Sequence, residues 1–379
     1  MPTELIENLI IGAGPAGLAV AGRLRKLDIP FTLIEKSNKI GFAWHNHYDR
    51  LHLHTVKRLS HLPYLPFPEH YPSYVSRLDL IKYFEAYAQK FEINPRFEVE
   101  VNVIKKEEKL WKVDTSKGEI NAKNVIVATG VNHIPKRPNL KGEENFEGTI
   151  EHSKTYKNHI PYKGKKVLVV GFGNTGAEIA LDLAEQGIDC AISVRSPVTI
   201  VPRDVNGKPV QETAKVLAKL PFGLGDAIGT LVRKIVIGNL SKYGVPQAKI
   251  HPAKQLRETG KTPVIDLGTV NFIKQGKIKV HPDISQLSKN EVVFFNGKKK
   301  PFDAIILATG YTSNLTKIVE NIEPELDNFG YPKSPIALHP SNKGLYFVGF
   351  DNYKLGGILG TIYNDSETVV NHLSRNLCY

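Results

Sequence analysis

The chain has 379 residues and a mass of 42.2 kDa, which is too long for one ordinary core and predicts two domains, or two with an insertion. Its 41% hydrophobic and 23% charged residues are typical of a globular protein, and no run approaches the roughly 18 apolar residues of a membrane span. The acidic N-terminus does not resemble a secretory leader. We therefore expect a cytoplasmic protein without a transmembrane anchor.

Net charge and cysteine content exclude further classes. The formal charge of +12 could indicate nucleic acid, but the lysines are scattered and no nucleic-acid-binding module is present, so this partner is not expected. A basic surface equally favours anionic substrates or phosphate-bearing cofactors. The two cysteines, Cys190 and Cys378, are far apart and in no paired motif, which argues against a disulfide framework and against a thiolate metal site.

Residues 8–18 predict a strand, a tight turn and the start of a helix. Gly12 allows the turn, Gly14 lets a pyrophosphate approach the backbone, and Gly17 allows close packing of the helix, whose N-terminus offers free amides. The next apolar run ends in Glu35, 18 residues after Gly17, near the spacing at which an acid accepts from ribose hydroxyls. These features together predict a dinucleotide site; a glycine-rich turn without a ligand is the alternative.

The same pattern recurs 159 residues later, at residues 167–176, and a helical pattern follows it. The second strand of this repeat, residues 190–194, ends in Arg195 and Ser196 instead of an acid. A guanidinium there suits the 2′-phosphate of NADP, which a carboxylate would repel. The second ligand is therefore predicted to be NADPH, and a solvated strand-end role for Arg195 is the alternative.

Each repeat closes with a buried strand that runs into glycine, at residues 125–130 and 305–311, and we expect these exits to be hinges. The predicted fold class is α/β, with two Rossmann-like dinucleotide-binding domains of the glutathione-reductase-like FAD/NAD(P) type. The NADPH domain, residues 161–309, is expected to be inserted in an FAD domain formed by residues 1–160 and 310–379.

Two such sites indicate tightly held FAD and exchangeable NADPH, with hydride passing from nicotinamide to flavin. The absence of a Cys-x-x-C motif excludes the dithiol relay of disulfide reductases. Dioxygen, a small acceptor such as a quinone, and a partner electron carrier remain open as the electron acceptor. A non-catalytic nucleotide-binding protein is a further alternative.

A resemblance favours dioxygen. Residues 146–156 fit the pattern Phe-x-Gly-x-x-x-His-x-x-x-Tyr, which marks flavin-containing monooxygenases and their class B relatives and precedes the second glycine motif as it does here. The resemblance covers nearly the whole chain and is closest to the YUCCA-type enzymes of plants. The residues that carry it are Trp44, 48–54, 66–68, 260–266, 308–311 and 330–333.

This resemblance implies an NADPH- and dioxygen-dependent monooxygenase that acts on a small organic substrate through a C4a-(hydro)peroxyflavin. The YUCCA branch converts indole-3-pyruvate to indole-3-acetate by oxidative decarboxylation, so a 2-oxo acid is one expected substrate, and an amine or sulfide is another. An NADPH oxidase or quinone-type reductase would use the same two folds without protecting the oxygenated flavin.

The resemblance also implies roles for individual residues. His152 and Tyr156 are expected to position the cofactor, or else to pack the interdomain linker. His54 falls where amine and sulfide oxidisers carry an asparagine near the flavin, which makes His54 a catalytic candidate. Lys57 is a second one, because it could bind an acidic substrate or a cofactor phosphate; for both residues a core or surface role is the alternative. Trp44 is expected to stack on the flavin, with a core position as the alternative.

Three other segments are ambiguous. Five histidines lie between residues 41 and 61, but no cysteine, ordered His-x-x-x-His helix or carboxylate cluster accompanies them, so no metal is expected. The proline- and aromatic-rich residues 62–74 could wall the substrate pocket or form a structural cover. Residues 205–250 interrupt the second fold and predict extra helices, which could serve as a lid, a membrane contact or a homodimer contact.

A final strand, residues 344–350, precedes Asp351, which could meet the ribityl chain of the flavin. The complete set of expected cofactor-binding residues is Gly12, Gly14, Pro15, Ala16, Gly17, Glu35, Lys36, Trp44, His45, Thr129, Gly130, His152, Tyr156, Gly171, Gly173, Asn174, Thr175, Gly176, Arg195, Ser196, Ala308, Thr309, Gly310, Tyr311 and Asp351.

Overall fold

The computed structural model describes residues 4–217, 224–248, 252–259, 262–313, 315–351 and 357–376. Cys378 lies outside these ranges, and so do Gly260 and Lys261, the first two residues of the 260–266 motif. The helices are α1 (Pro15–Lys26), α2 (Phe42–His45), α3 (Arg77–Lys90), α4 (Asn174–Glu185), α5 (Val210–Leu217), α6 (Leu224–Ile237), α7 (Pro252–Thr259), α8 (Thr269–Lys274), α9 (Leu315–Ile318) and α10 (Gly357–Asn376). The strands are β1 (Glu4–Ile11), β2 (Thr32–Ile34), β3 (Val101–Glu107), β4 (Leu110–Thr115), β5 (Gly118–Val127), β6 (Ile134–Pro135), β7 (Thr149–His152), β8 (Lys166–Val170), β9 (Asp189–Ser193), β10 (Ile200–Pro202), β11 (Asp204–Val205), β12 (Lys208–Pro209), β13 (Val264–Asp266), β14 (Ile278–His281), β15 (Ile284–Leu287), β16 (Glu291–Phe294), β17 (Lys299–Pro301), β18 (Ala304–Leu307), β19 (Tyr311–Thr312) and β20 (Leu345–Phe347).

The chain divides into two compact units. Unit 1 comprises residues 1–46, 55–134 and 311–379, and unit 2 comprises residues 47–54 and 135–310. This division differs from the expected one because residues 47–54, 135–160 and 310 pack with the second glycine motif and not with the first.

Unit 1 is built on a sheet with the strand order β2-β1-β5-β4-β3, and β20 also pairs with β5. Strands β2, β1, β5 and β20 are parallel, whereas β3 and β4 form an antiparallel extension. The central parallel strands are buried on both faces, which explains their continuous apolar sequences. Helix α1 packs against α10. The carboxyl ends of β1, β2 and β5 meet at one edge of the sheet, where ligands bind in open α/β sheets.

Unit 2 repeats this arrangement with a parallel sheet in the order β14-β9-β8-β18-β7. Helix α4 follows β8, and its residues 176–184 are all buried, so this helix lies deep in the unit. Gly187, with a φ of +73°, follows the end of α4. A separate antiparallel sheet contains β15, β16 and β17.

The ambiguous segments have simple local structures. The interruption at 205–250 contains α5 and α6, as predicted, although residues 218–223 and 249–250 lie outside the described ranges. Residues 62–74 form no helix or multi-residue strand, and Phe67 packs on Tyr83 with ring centroids 4.2 Å apart. Within the described ranges, none of the helices combines the length and hydrophobicity that crossing a membrane requires.

Candidate active site

Residues 12–17, the first glycine cradle, form the turn between β1 and α1. Gly12 has a φ of +108°, and a Cβ there would lie 2.7 Å from the carbonyl oxygen of Ala128, while a Cβ at Gly17 would lie 1.9 Å from the carbonyl oxygen of Gly12. Both glycines are therefore required by the fold. At Gly14, by contrast, no described atom beyond Gly14 itself and its neighbours in the chain lies within 4 Å of the Cβ position. This open space adjoins the free amides of α1, which Pro15 begins, and fits a pyrophosphate.

Glu35 follows β2 at the same edge of the sheet and is 9% exposed. Its Oε2 accepts from the amide of Ala13 at 2.8 Å, and its Oε1 accepts from the amide of Ser37 at 2.9 Å. These bonds orient the carboxylate, and each oxygen keeps a lone pair that a ribose hydroxyl can use. The neighbouring Lys36 is exposed, with its Nζ 3.2 Å from Nε2 of His133.

Trp44 belongs to the short helix α2, which is tied to the first glycine cradle. The amide of Gly41 donates to the carbonyl of Ala13 at 2.9 Å, and Gly41 has a φ of +64°. Nη1 of Arg77 donates to the Trp44 carbonyl at 3.5 Å, and the indole meets Phe84 edge-on at a centroid distance of 6.3 Å. Trp44 is half-buried, so it is held beside the cradle without being a core residue.

The buried polar atoms of unit 1 that have no hydrogen-bond partner among the described residues include Nε2 of His45 and Oγ1 of Thr129. Thr129 follows β5, and its Cα lies 3.5 Å from the Cβ position at Gly12, so it borders the first glycine cradle. Gly130, with a φ of +80°, follows. Buried polar atoms normally find a partner, and both atoms fit a ligand seated at this edge. Asp351 lies after β20 in the same unit and is half-buried.

Residues 171–176, the second glycine cradle, reproduce the same geometry in unit 2. Gly171 has a φ of +105°, and a Cβ there would lie 2.6 Å from the carbonyl oxygen of Ala308. A Cβ at Gly176 would lie 2.0 Å from the carbonyl oxygen of Gly171, whereas nothing in the described ranges approaches within 4 Å of the Gly173 position. This cradle also fits a pyrophosphate.

Near the second glycine cradle, the side chain of Asn174 is hydrogen-bonded within the protein, whereas that of Arg195 is exposed. Oδ1 of Asn174 accepts a hydrogen bond from the amide of Ile265 at 2.7 Å, so this side chain fixes β13 to the start of α4. Thr175 is the second residue of α4. Arg195 lies two residues after β9 and is exposed, without a hydrogen bond or ion pair to the described part of the chain. Ser196 beside it is half-buried. Because β9 pairs with β8, Arg195 lies near the same sheet edge as the cradle.

The remaining cofactor candidates follow β18 in the chain. Oγ1 of Thr309 donates to the carbonyl of Lys136, and Gly310 has a φ of +86°. Tyr311 begins β19 and is half-buried.

The 146–156 motif occupies the edge strand of the unit 2 sheet. Gly148 is required there because a Cβ would lie 2.7 Å from the carbonyl oxygen of Asp303. His152 ends β7 at 8% exposure, and its Nδ1 accepts from the amide of Lys154 at 3.1 Å. Burial lowers the pKa of His152, although a backbone hydrogen bond with Gly310 opposes this shift, so the imidazole is favoured in its neutral form.

Tyr156 points into the core of unit 2. It is 1% exposed, its hydroxyl donates to Asp182 of α4, and its ring stacks on Tyr162 at a centroid distance of 5.6 Å. Burial and the bond to Asp182 raise the pKa of Tyr156, so the phenol stays protonated. These contacts support the packing alternative for Tyr156.

His54 lies against α4 of unit 2. Its Nε2 is 3.1 Å from Oε2 of Glu178, a carboxylate whose side chain is 3% exposed. The hydroxyl of Tyr48 donates to the same oxygen at 2.7 Å. Sequence reasoning missed Glu178; the available signal was an acid within the buried stretch of the helix that follows the second glycine cradle.

Lys57 lies in unit 1, where its Nζ donates to the carbonyls of Glu69 and Tyr71, each at 2.6 Å. The lysine therefore anchors the proline- and aromatic-rich residues 62–74. These two bonds use two of the three N–H groups of its ammonium.

Comparison with known proteins decides the family. The model of the pyridine nucleotide-disulphide oxidoreductase family matches residues 9–208. The probable indole-3-pyruvate monooxygenase YUCCA3 of Arabidopsis thaliana is 39% identical over 92% of this chain and 83% of its own length. The indole-3-pyruvate monooxygenase YUCCA1 of Oryza sativa subsp. japonica is 39% identical over 93% of this chain and 88% of its own. The chain belongs to the YUCCA monooxygenase family.

Solved structures agree with the fold of this monooxygenase. A flavin-containing monooxygenase from Stenotrophomonas maltophilia matches with a TM-score of 0.75 at 18% identity, covering 99% of this chain and all of that one. An oxidised steroid monooxygenase bound to NADP matches with a TM-score of 0.76 at 18% identity, over 99% of this chain and 85% of its own. The predicted fold class is confirmed. This YUCCA-family enzyme is an FAD- and NADPH-dependent monooxygenase, and it takes dioxygen and a small organic molecule as substrates.

Proposed function

We propose that this monooxygenase converts indole-3-pyruvate, or a closely similar 2-oxo acid, to the carboxylic acid that is one carbon shorter. The observation that carries the proposal is the 36–39% identity, over 92–98% of this chain, to enzymes named as indole-3-pyruvate monooxygenases. The reaction consumes one 2-oxo acid, one O₂, one NADPH and one proton. It yields one carboxylic acid, one CO₂, one NADP⁺ and one water.

FAD, when bound, supplies hydride acceptance from NADPH and activation of dioxygen. We propose that unit 1 holds FAD, with the pyrophosphate in the first glycine cradle, the ribose on Glu35 and the α2 segment with Trp44 beside the ligand. The open Gly14 position and the unpartnered atoms of His45 and Thr129 support this assignment. We propose that unit 2 holds NADPH in the second glycine cradle.

We propose that His54 holds or moves a proton during the reaction, because its ring is fixed by Glu178 through one nitrogen while Nδ1 makes no bond within the described ranges. Lys57 keeps one N–H for the carboxylate of a 2-oxo acid. His152, neutral and buried beside Gly310, is proposed to position the nicotinamide part of the cofactor.

The experiment that tests the function is an isotope balance with the purified, FAD-loaded enzyme. Indole-3-pyruvate, NADPH and ¹⁸O₂ are expected to yield indole-3-acetate with one ¹⁸O in its carboxylate, together with equimolar CO₂ and NADP⁺. Consumption of NADPH with equimolar hydrogen peroxide and no acid would identify an NADPH oxidase. Parallel reactions with an amine and a sulfide test the other candidate substrates, and a reaction with a quinone tests the alternative electron acceptor.

Replacing Arg195 with Ala is expected to raise the KM for NADPH by about tenfold or more, because the exposed guanidinium is the proposed partner of the 2′-phosphate. The KM for NADH, which lacks this phosphate, should change less than twofold. Steady-state kinetics with both nucleotides measures the two values. The control is Lys279→Ala, which removes another exposed cation of unit 2 from the outer strand β14. An unchanged NADPH preference in Arg195→Ala contradicts the assignment.

Replacing His54 with Ala is expected to lower the fraction of NADPH that ends as organic product by about tenfold, with hydrogen peroxide making up the difference. Anaerobic reduction of the flavin by NADPH should remain within about twofold of wild type, because the substitution leaves both glycine cradles intact. Stopped-flow reduction and product analysis measure the two quantities. The matched control is His52→Ala, two residues away and exposed. Equal coupling in the two variants would remove His54 from the reaction.

A further inference from the structure

Three carboxylates on α4 bind the segment of residues 47–54. Glu178, Asp182 and Glu185 lie at positions i, i+4 and i+7, so they share one face of the helix. Arg50 reaches all of them, with Nη1 2.7 Å from Glu185, Nη1 3.4 Å from Asp182 and Nε 4.0 Å from Glu178. The segment is separated from α4 by more than 120 residues in sequence, yet it packs with the helix that follows the second glycine cradle.

Glu178 differs from the other two carboxylates by being almost fully buried. Its side chain is 3% exposed, against 12% for Asp182 and 40% for Glu185. A carboxylate removed from water is costly unless donors surround it. Tyr48 and His54 both approach Oε2, and Arg50 is the cation nearest to Oε1. Within the described part of the chain, the side-chain partners of Glu178 thus all come from the 47–54 segment.

This arrangement determines which nitrogen of His54 carries the proton. A neutral imidazole has one N–H, and an ionised carboxylate can only accept. With Nε2 directed at Glu178, the proton of the neutral ring lies on Nε2 and donates to Oε2. The lone pair is then on Nδ1, which makes no hydrogen bond to the described residues. A buried carboxylate that fixes one ring nitrogen and leaves the other for proton transfer is a recurrent device in enzymes.

We propose that Glu178 is a positioning residue of the monooxygenase, which holds His54 as the Nε2–H tautomer and keeps Nδ1 available for proton exchange during the reaction. This inference rests on the proposed role of His54. Because Glu178 is on α4, the tautomer of His54 is set by the helix whose N-terminus forms the second glycine cradle. The competing interpretation is a buried anion that only fastens the 47–54 segment to α4.

The first test uses Glu178→Gln and Glu178→Asp in the FAD-loaded enzyme. Glu178→Gln is isosteric but removes the charge, and its amide can donate to Nε2 and so favour the wrong tautomer. For Glu178→Gln, we expect the amount of organic product formed per NADPH to fall about tenfold, with hydrogen peroxide making up the difference. The rate of anaerobic flavin reduction by NADPH should stay within about twofold of wild type. Glu178→Asp retains an acceptor-only carboxylate and is expected to restore part of the coupling. The control Asp189→Asn removes a carboxylate that is exposed on β9.

The second test does not depend on catalysis. In protein labelled with ¹⁵N-histidine, the ring-nitrogen shifts of His54, assigned by comparison with His54→Ala, report the tautomer at a pH where the ring is neutral. We expect the Nε2–H form in the wild type and in Glu178→Asp, and a shifted pattern in Glu178→Gln. The Nδ1–H form in the wild type overturns the proposal. The wild-type spectrum gives this result even if Glu178→Gln does not fold.

The outcomes separate this inference from the proposed function. If His54→Ala uncouples the enzyme but a folded Glu178→Gln does not, the positioning role fails and the role of His54 survives. If His54→Ala leaves coupling unchanged, the role of His54 fails, and with it the catalytic meaning of Glu178. If all Glu178 variants lower the rate of flavin reduction and the product formed per NADPH to the same extent, the carboxylate is a structural anchor and the proposal is wrong.

Discussion

A Gly14→Val protein is expected to purify folded but without the yellow colour of bound flavin. The backbone at Gly14 is extended, with a φ of −81° and a ψ of −175°, which valine adopts without strain. The Cβ position also has open space around it, so the substitution leaves the packing of unit 1 unchanged. The added side chain occupies the place proposed for the pyrophosphate and blocks the amides of the cradle. Loss of two charge-assisted hydrogen bonds at about 1.5–3 kcal/mol each weakens FAD binding by more than about hundredfold.

The measurements are the flavin absorbance per protein and the thermal unfolding of the flavin-free forms. The two apo proteins should unfold within about 1 kcal/mol of each other, while added FAD should raise the melting temperature of the wild type only. Gly17→Ala is the informative contrast, because its Cβ would lie 1.9 Å from a backbone oxygen and the fold itself should fail. Full flavin content in Gly14→Val would show that the pyrophosphate lies elsewhere.

Local sequence was sufficient to predict both glycine cradles. In each, the first and third glycines avoid backbone clashes, and the second faces open space, as the spacing of Gly12, Gly14 and Gly17 indicates. The helices that follow, and the acid at the end of β2, also depend on short-range patterns. These features are predictable because a strand, a turn and a helix N-terminus are determined within about 30 residues.

Features that depend on long-range contacts were not predictable. Asn174 was predicted to bind the cofactor, and the sequence did not show that its side chain bonds to β13, about 90 residues away. For Lys57, the sequence predicted a substrate or phosphate contact but did not show that the carbonyls of Glu69 and Tyr71 also accept from its ammonium. Glu178 was missed because nothing local marks it as the partner of His54. Periodicity shows that a helical position is buried, but it does not identify the partner of a polar group there.

The assignment of segments to units has the same origin. Residues 135–160 precede the second glycine cradle and were assigned to the FAD domain, but β7 pairs with β18 and completes the parallel sheet of unit 2. Residues 47–54 have no strand or helix of their own and join unit 2 through side chains bound to α4. Contacts of this kind connect residues more than 120 positions apart, which sequence spacing does not encode.

The reciprocal variant, Gly173→Val, is expected to keep its flavin and lose NADPH. Gly173 has a φ of −92° and a ψ of −175°, again extended, and its Cβ position is open, so unit 2 should fold normally. The side chain would block the second glycine cradle and weaken NADPH binding by more than about hundredfold, on the same count of lost hydrogen bonds. Flavin reduction by NADPH at a fixed low concentration should fall in proportion, whereas dithionite should reduce the flavin as in the wild type.

The matched control for Gly173→Val is Gly229→Val in α6, where the Cβ position is also open and the residue is outside both cradles. Stopped-flow reduction over a range of NADPH concentrations distinguishes lost affinity from a slower hydride step, because only the former moves the half-saturating concentration. If Gly14→Val loses flavin and Gly173→Val loses NADPH, the two cofactors are assigned to separate cradles by a single type of substitution. Loss of flavin in Gly173→Val would instead reverse the assignment, because the second cradle would then be the one that holds FAD.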